Sequence, residues 1–185
     1  MDYYLTRNSL AKQESILEIR MPVADKSKWS PKSFHSVAEL QADLDAIERA
    51  HQEGTLSTDG GWTVGQNLNH CAKFMKSSFN GFEMDAPWIL RVLCTILLKP
   101  IATKPTSQMK PGIKLPKKAK ELLPEEEVSV EEGLEQMRTQ LARIDAGEKM
   151  TVPSPLFGKL THDQWVNLHL NHCRMHMGYL NYQTV

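Results

Sequence analysis

Apolar side chains recur every three or four residues in four segments of the chain, which is the spacing of helices that bury one face. The first and third segments each end near a glycine, Gly54 and Gly147 respectively. The pattern predicts an all-α protein with four amphipathic helices. The apolar-face positions are Val37, Leu40, Leu44 and Ile47; Val64, Leu68, Cys71, Met75 and Phe79; Leu134, Met137, Leu141 and Ile144; and Trp165, Leu168, His169, His172, Met175, His176 and Tyr179.

Each predicted helix begins at a Ser or Thr that is followed three residues later by Glu or Gln. This is the capping-box pattern, in which the two side chains satisfy backbone N–H groups at the helix start. The fourth helix also has Leu160 before its cap and Trp165 after it, as a hydrophobic staple requires. With no proline to break it, this helix is predicted to run nearly to Val185. The pairs are Ser36/Glu39, Thr63/Gln66, Ser129/Glu132 and Thr161/Gln164.

Two regions lie outside this four-helix pattern. Residues 1–35 have weak periodicity and two prolines, which predicts an irregular lead-in. Residues 82–128 form a long insertion between the second and third helices. Its apolar part, Trp88–Ala102, predicts an extra helix packed on the others, and its Lys- and Pro-rich tail predicts a solvated loop. We expect residues 1–185 to form a single domain.

The amino-acid composition limits the kinds of binding partner that we expect for this chain. Lys plus Arg and Asp plus Glu number 22 each, so the net charge of zero provides no overall field that would attract nucleic acid or an anionic membrane. No aromatic residue lies within the basic stretch 104–120 to stack on bases. Three cysteines cannot all pair, and the N-terminal segment lacks a secretory apolar run. These features favour a cytoplasmic protein without nucleic-acid or membrane partners.

The candidate chemistry lies in a repeated tetrapeptide. Leu-Asn-His-Cys occurs at Leu68–Cys71 and again at Leu170–Cys173. His172 and His176 are four residues apart on the apolar face of the fourth helix, where they are neighbours. Buried imidazoles must satisfy their ring nitrogens, and a shared cation would do so. The alternative is that these histidines pack in the core and bond to backbone carbonyls or water.

His70 is harder to place from periodicity. The apolar stripe of the second helix passes through Leu68, Cys71 and Met75, and His70 points away from it. Periodicity alone leaves His70 near the surface. It faces the interior only if the second helix contacts neighbours on two sides, which the adjacent Phe74 favours.

Two further residue types near the candidate ligands are predicted to be structural. His169 shares the apolar face of the fourth helix, and we expect it to be packed there. Cys71 and Cys173 each follow a candidate ligand, but one residue turns a side chain by about 100° around a helix. We therefore expect both cysteines to be small buried apolar residues.

The segment from Trp62 to His70 resembles the second-helix signature of the DinB/YfiT-like superfamily of metal-binding four-helix bundles. His172, His176 and Gly178 are similar to its final-helix motif, and the stretch 155–161 resembles one uncharacterised branch. The resemblance covers about residues 36–183. It implies an up-and-down four-helix bundle whose metal ligands are His70, His172 and His176. It also implies a possible homodimer. Many members of the superfamily have a histidine where this chain has Met175.

Three histidines leave a divalent ion with open coordination positions. Zn²⁺ or Ni²⁺ suits these ligands, with Fe²⁺ as a further option, and no organic cofactor is expected. The expected function is a metal-dependent hydrolase acting on a small molecule or, as the resemblance implies, a thiol-dependent transferase. The alternative is a non-catalytic module stabilised by its metal.

No acid–base residue can be assigned from the sequence. Gln66 and Tyr179 are placed so that both could line a pocket, although Gln66 is also the capping residue of the second helix. The carboxyl groups of Glu83, Asp85 and Asp163 are the other candidates, and we expect all three at the surface.

Overall fold

The computed structural model describes residues 26–112 and 119–183. This part of the chain is mostly helical and confirms the all-α class. The elements, in chain order, are a 3₁₀ turn Lys26–Lys28, α1 Val37–Gln52, β1 Ser57–Thr58, α2 Val64–Asn80, α3 Trp88–Leu93, a π-helical segment Cys94–Leu98, α4 Lys99–Ala102, a 3₁₀ turn Lys120–Leu122, α5 Val130–Asp145, α6 His162–Met177 and β2 Leu180–Asn181. The four predicted amphipathic segments are α1, α2, α5 and α6.

The helix starts agree with the predicted caps. Thr63, Ser129 and Thr161 each form a complete capping box with the side chain three residues later. At α1 the box is incomplete: Ser36 accepts from the Glu39 N–H, while the Glu39 carboxylate accepts from the N–H of His35. Local sequence is sufficient to fix these ends because each cap needs only partners within one helical turn.

The C-terminus of α6 differs from the prediction. The helix ends at Met177, and Leu180–Asn181 then pairs antiparallel with Ser57–Thr58. Gly178, the C-cap, lies against the lead-in: a Cβ there would sit 2.9 Å from the carbonyl oxygen of Ser30. The helix ends where the chain meets distant partners, which helical periodicity does not report.

Helix α2 contacts both α5 and α6, and α1 also packs on α5 and α6. The α2–α5 contact is close because glycines occupy the crossing. A Cβ on Gly133 would lie 2.9 Å from both the carbonyl oxygen of Gly65 and the Cβ of Leu68. The core between these helices contains Leu40, Leu44, Ile47, Leu68, Cys71, Met75, Leu134, Met137, Leu141, Leu170, Cys173 and Met177.

The insertion is helical over Trp88–Ala102, as predicted, but it packs on the other helices along one edge only. Cys94 and Ala102 are buried there, whereas most of its large apolar side chains are exposed. Within residues 26–112 and 119–183, no helix has the length and apolar character needed to cross a membrane.

The remaining predictions about organisation are tested only in part. Apart from one 3₁₀ turn, residues 26–35 contain no helix or strand, in agreement with an irregular lead-in. Residues 1–25, and residues 113–118 of the insertion, lie outside the described part of the chain. The single domain over residues 1–185 stays a prediction.

Candidate metal centre

Helices α2 and α6 bring three histidines together. One ring nitrogen from each of His70, His172 and His176 lies within 4.8 Å of the others. The Nε2 atoms of His70 and His172 are 3.3 Å apart. The ring centroid of His176 is 4.5 Å from that of His70 and 4.5 Å from that of His172. In this geometry the three rings are positioned to hold one metal ion.

His70 is buried, with 2% of its surface exposed, so the surface position that periodicity alone suggests is wrong. The physical reason is that α2 has neighbours on two sides: its apolar stripe packs in the core with α5, and the His70 face meets α6. The Nδ1 atom of His70 donates to the carbonyl oxygen of Leu122 at 2.5 Å. Because a carbonyl only accepts, this bond leaves the lone pair on Nε2, which points toward His172.

Aromatic rings hold the other two imidazoles. Trp62, just before α2, stacks on His176 with ring planes 11° apart and centroids 5.5 Å apart. Phe74, one turn after His70, contacts His172 with a centroid separation of 4.8 Å. The Nδ1 atom of His172 is buried without a hydrogen-bond partner in the described part of the chain. His172 is therefore positioned by ring packing, whereas His70 is positioned by a carbonyl.

Burial keeps these imidazoles neutral. It lowers the pKa of His70 to about 4, against the opposing effect of the Leu122 carbonyl. Burial also lowers the pKa of His172 and that of His176 well below the usual value, and the neighbouring histidines lower both further. Near neutral pH all three rings carry a free lone pair, which is the form that coordinates a metal.

The repeated tetrapeptide has one structural explanation for its Leu and Cys positions. Leu68 and Leu170 are both buried in the core cluster. Cys71 and Cys173 are buried in the same cluster and contact each other, and this contact, with burial, raises the pKa of the Cys71 thiol. The prediction that the cysteines are buried apolar residues is confirmed.

The two asparagines of the repeat also have matching roles, because each holds a segment beside the candidate centre. Asn69 accepts from the N–H of Glu125 at 3.1 Å, at the approach to α5. Asn171 donates to the carbonyl oxygens of Ala102 and Lys104, at the end of the insertion helix. In both copies the next residue is the histidine that faces the centre. Similar packing requirements at equivalent positions explain why the four letters recur.

The three histidines lie on the wall of a cavity of about 590 Å³. No Asp, Glu, Lys or Arg side chain is among the described residues that line it. Most of the lining is apolar, and the insertion contributes one side of it. The apolar lining residues are Trp62, Phe74, Phe82, Met84, Leu90, Cys94, Leu98, Met109, Pro111, Leu122, Pro155, Leu156, Phe157, Leu168 and Met175.

Of the candidate pocket and acid–base residues, one lines the cavity and the others do not. Gln66 accepts from the N–H of Thr63 in the capping box of α2 and donates to the carbonyl oxygens of Glu125 and Glu126. It does not line the cavity. Tyr179 does line the cavity. Glu83, Asp85 and Asp163 are exposed, as predicted.

His169 is packed rather than placed with the other three histidines, as predicted. Its Nε2 pairs with the Ser78 hydroxyl at 2.9 Å. The His169 ring also stacks on Trp165, with planes 13° apart. Its polar and apolar contacts are thus satisfied away from the centre.

Sequence reasoning missed residues on the opposite face of α6. Asn171 and Arg174 belong to its polar face, yet both are buried, with 0% and 3% exposure. Arg174 donates to the carbonyl oxygens of Phe34, Pro105 and Ser107, and so joins the lead-in, the insertion and α6. The sequence feature that could have pointed to Asn171 and Arg174 is the polar face of α6, the helix that also carries two candidate ligands. The covering segments that bury it could not be inferred from helical spacing.

Comparison of the chain with known proteins identifies the family to which it belongs. Residues 30–183 match the family model described as a protein of unknown function (DUF1569). The chain belongs to this family. The matched region includes α1 to β2 and all three histidines of the centre. No curated protein matches the chain, and no solved structure matches it.

Proposed function

We propose that this DUF1569 chain binds a divalent metal ion through His70, His172 and His176. The supporting observation is the convergence of three ring nitrogens within 4.8 Å on a cavity wall. Two nitrogens bound to one tetrahedral zinc at about 2.0–2.1 Å lie about 3.3 Å apart. The Nε2 atoms of His70 and His172 have this separation, 3.3 Å. The Leu122 carbonyl supplies the outer hydrogen bond that metal-bound histidines commonly make.

The resemblance to DinB/YfiT-like proteins supports the same proposal. It implies that these three residues are the metal ligands. It also implies that α1, α2, α5 and α6 form an up-and-down four-helix bundle. A homodimer is part of this proposal. Three neutral imidazoles favour Zn²⁺ or Ni²⁺ and also accept Fe²⁺.

The proposed activity is metal-dependent hydrolysis of a small molecule or metal-dependent transfer of a thiol to a small molecule. An ion with three protein ligands retains open positions and makes a bound water or thiol more acidic. The chain's own contribution is a largely apolar cavity that receives the substrate beside the histidines. Because its described lining has no charged side chain, the favoured substrate is uncharged and largely apolar.

A second candidate function is a non-catalytic module in which the metal joins α2 to α6. The observation that favours it is the absence of Asp, Glu and Lys from the described cavity lining, which leaves no carboxylate or amine beside the histidines to act as a general acid or base. In that case the binding free energy of the metal contributes to folding.

Activity measurements can separate these functions. Protein stripped by a chelator is reloaded with Zn²⁺, Ni²⁺ or Fe²⁺ and assayed on neutral aryl esters and amides of increasing acyl length. A parallel assay supplies a neutral alkyl thiol and an apolar electrophile. The catalytic proposal predicts turnover that requires metal, and at least a hundredfold loss in His172→Gln.

His169→Gln is the matched control, because it changes a buried histidine of the same helix outside the triad. It should retain most of the activity. Turnover that is insensitive to chelation and to His172→Gln would contradict the catalytic proposal. If metal raises the melting temperature but none of the substrates reacts, the non-catalytic module is supported instead.

A further inference from the structure

The insertion helix presents a large apolar face to solvent. Trp88 is 74% exposed and Ile96 is 66% exposed. Monomeric proteins rarely expose so many large apolar side chains side by side, and such faces mark interaction surfaces. We call this set the outer apolar face; it comprises Trp88, Ile89, Val92, Leu93, Ile96, Leu97 and Ile101.

The segment that carries the outer apolar face is basic, and the acid beside it, Asp85, is paired with Arg91. Residues 86–120 contain eight Lys or Arg residues and no Asp or Glu, although the whole chain has 22 of each sign. Lys104 and Lys110 are exposed, and neither forms an ion pair in the described part of the chain. The zero net charge of the chain thus conceals a basic stretch of sequence that contains the apolar face.

We propose that the outer apolar face docks on the surface of an anionic lipid bilayer. Helices that lie in a bilayer interface combine Trp and aliphatic side chains on one face with Lys and Arg nearby. Trp88 is of the type that anchors at the headgroup level, and lysines near an anionic surface are attracted to it. This proposal departs from the expectation, based on net charge, that the chain has no membrane partner.

Charge argues against a second copy of the chain as the occupant. Pairing two copies through this face would bring together two basic segments with no acid in either. Like charges in contact oppose association. An anionic bilayer instead neutralises the lysines and buries the apolar side chains at the same time.

The position of the cavity fits this docking. Leu90 and Leu98 line the cavity and are also 39% and 44% exposed, beside the outer apolar face. An apolar molecule could therefore pass between the bilayer and the cavity along the insertion helix. Docking itself stands on the exposed face and its charges, and it does not require the proposed metal centre.

Vesicle sedimentation with the full chain tests the proposal. The probes are vesicles of phosphatidylcholine alone and of phosphatidylcholine with 30 mol% phosphatidylglycerol. The full chain should sediment with the anionic vesicles and be released by 0.5 M NaCl. The double variant Ile96→Ser/Leu97→Ser should bind at least tenfold more weakly, because two exposed apolar side chains are lost.

A pair of charge variants gives a matched comparison. Lys104→Gln/Lys110→Gln should lower the anionic-vesicle partition coefficient by roughly tenfold or more. Lys76→Gln/Lys149→Gln removes the same charge from exposed positions outside the insertion and should change it less than twofold. Circular dichroism and metal content should be unchanged in all variants, since none of these residues lines the cavity.

Two results would overturn the proposal. One is a full chain that does not sediment with anionic vesicles. The other is a dimer, measured by light scattering without lipid, that Ile96→Ser/Leu97→Ser converts to monomer, because a second copy would then be the occupant of the face.

Discussion

At the scale of single residues, the histidines of α2 and α6 satisfy their ring nitrogens in different ways. The Nδ1 atom of His70 donates to the carbonyl oxygen of Leu122, and its Nε2 atom lies 3.3 Å from the Nε2 atom of His172. His169 pairs with the hydroxyl of Ser78 and is enclosed by Trp165 and Phe74. Only the first arrangement directs a lone pair toward other imidazoles, so burial of a histidine is not by itself a sign of coordination.

His169 makes the stability of the protein depend on pH. Burial lowers its pKa to about 3 in the folded state, compared with an ordinary value of 6.5. Above pH 6.5 neither state binds this proton, and the full contribution of His169 to stability is present. As pH falls from 6.5 toward 3 only the unfolded state binds it, so the contribution is progressively lost.

Urea unfolding of chelator-treated protein from pH 7 to 4.5 measures this effect. Stability should fall with decreasing pH, and His169→Gln should reduce the slope by about 1.4 kcal/mol per pH unit, the value for one proton. An unchanged slope in His169→Gln would show that His169 does not titrate as its burial requires.

At the scale of elements, the glycine crossing of α2 and α5 sets the position of the centre. Gly133 packs against the backbone of Gly65, one turn and a half before His70. Gly133→Ala places a Cβ 2.9 Å from a carbonyl oxygen, which is closer than real Cβ atoms approach. We expect it to lower the free energy of unfolding by about 1–3 kcal/mol, despite the better helix propensity of alanine.

Urea denaturation of Gly133→Ala checks this expectation. Glu135→Ala, on the exposed face of α5, is the matched control and should change stability by less than about 0.5 kcal/mol. Equal effects in the two variants would mean that α5 can move away from α2 at little cost.

The same scale explains what sequence can predict in this fold. The starts of α1, α2, α5 and α6 and their buried stripes depend on neighbours within a turn or two, and these were predicted. The end of α6 depends on Trp29, Ser30 and strand β1, which are more than a hundred residues away in sequence. Such partners leave no periodic signal.

The candidate site shows a similar division. The pair His172 and His176 follows from helical spacing, but the inward position of His70 depends on α2 having two neighbours. It was expected from resemblance and not from periodicity. The Leu122 carbonyl was missed because a backbone carbonyl carries no sequence motif. Trp62 begins the second-helix signature, but its stack on His176 was missed because a motif does not report which ring a loop aromatic contacts.

At the scale of the whole molecule, the insertion links the two proposals. Its inner side lines the cavity beside the histidines, and its outer side is apolar and basic. Asn171 and Arg174 attach its middle part, at Ala102 and Ser107, to the helix that carries two of the three histidines. Binding at the outer face and binding in the cavity would therefore act on the same segment.

The central claim is that His70, His172 and His176 together hold one metal ion. Elemental analysis of protein purified without a histidine tag, and again after dialysis against equimolar Zn²⁺, tests it most directly. We predict one divalent ion per chain in the wild type and in His169→Gln, and less than a tenth of that in His70→Gln, His172→Gln or His176→Gln. A wild type that holds no ion after dialysis, or three variants that retain it, would contradict the claim.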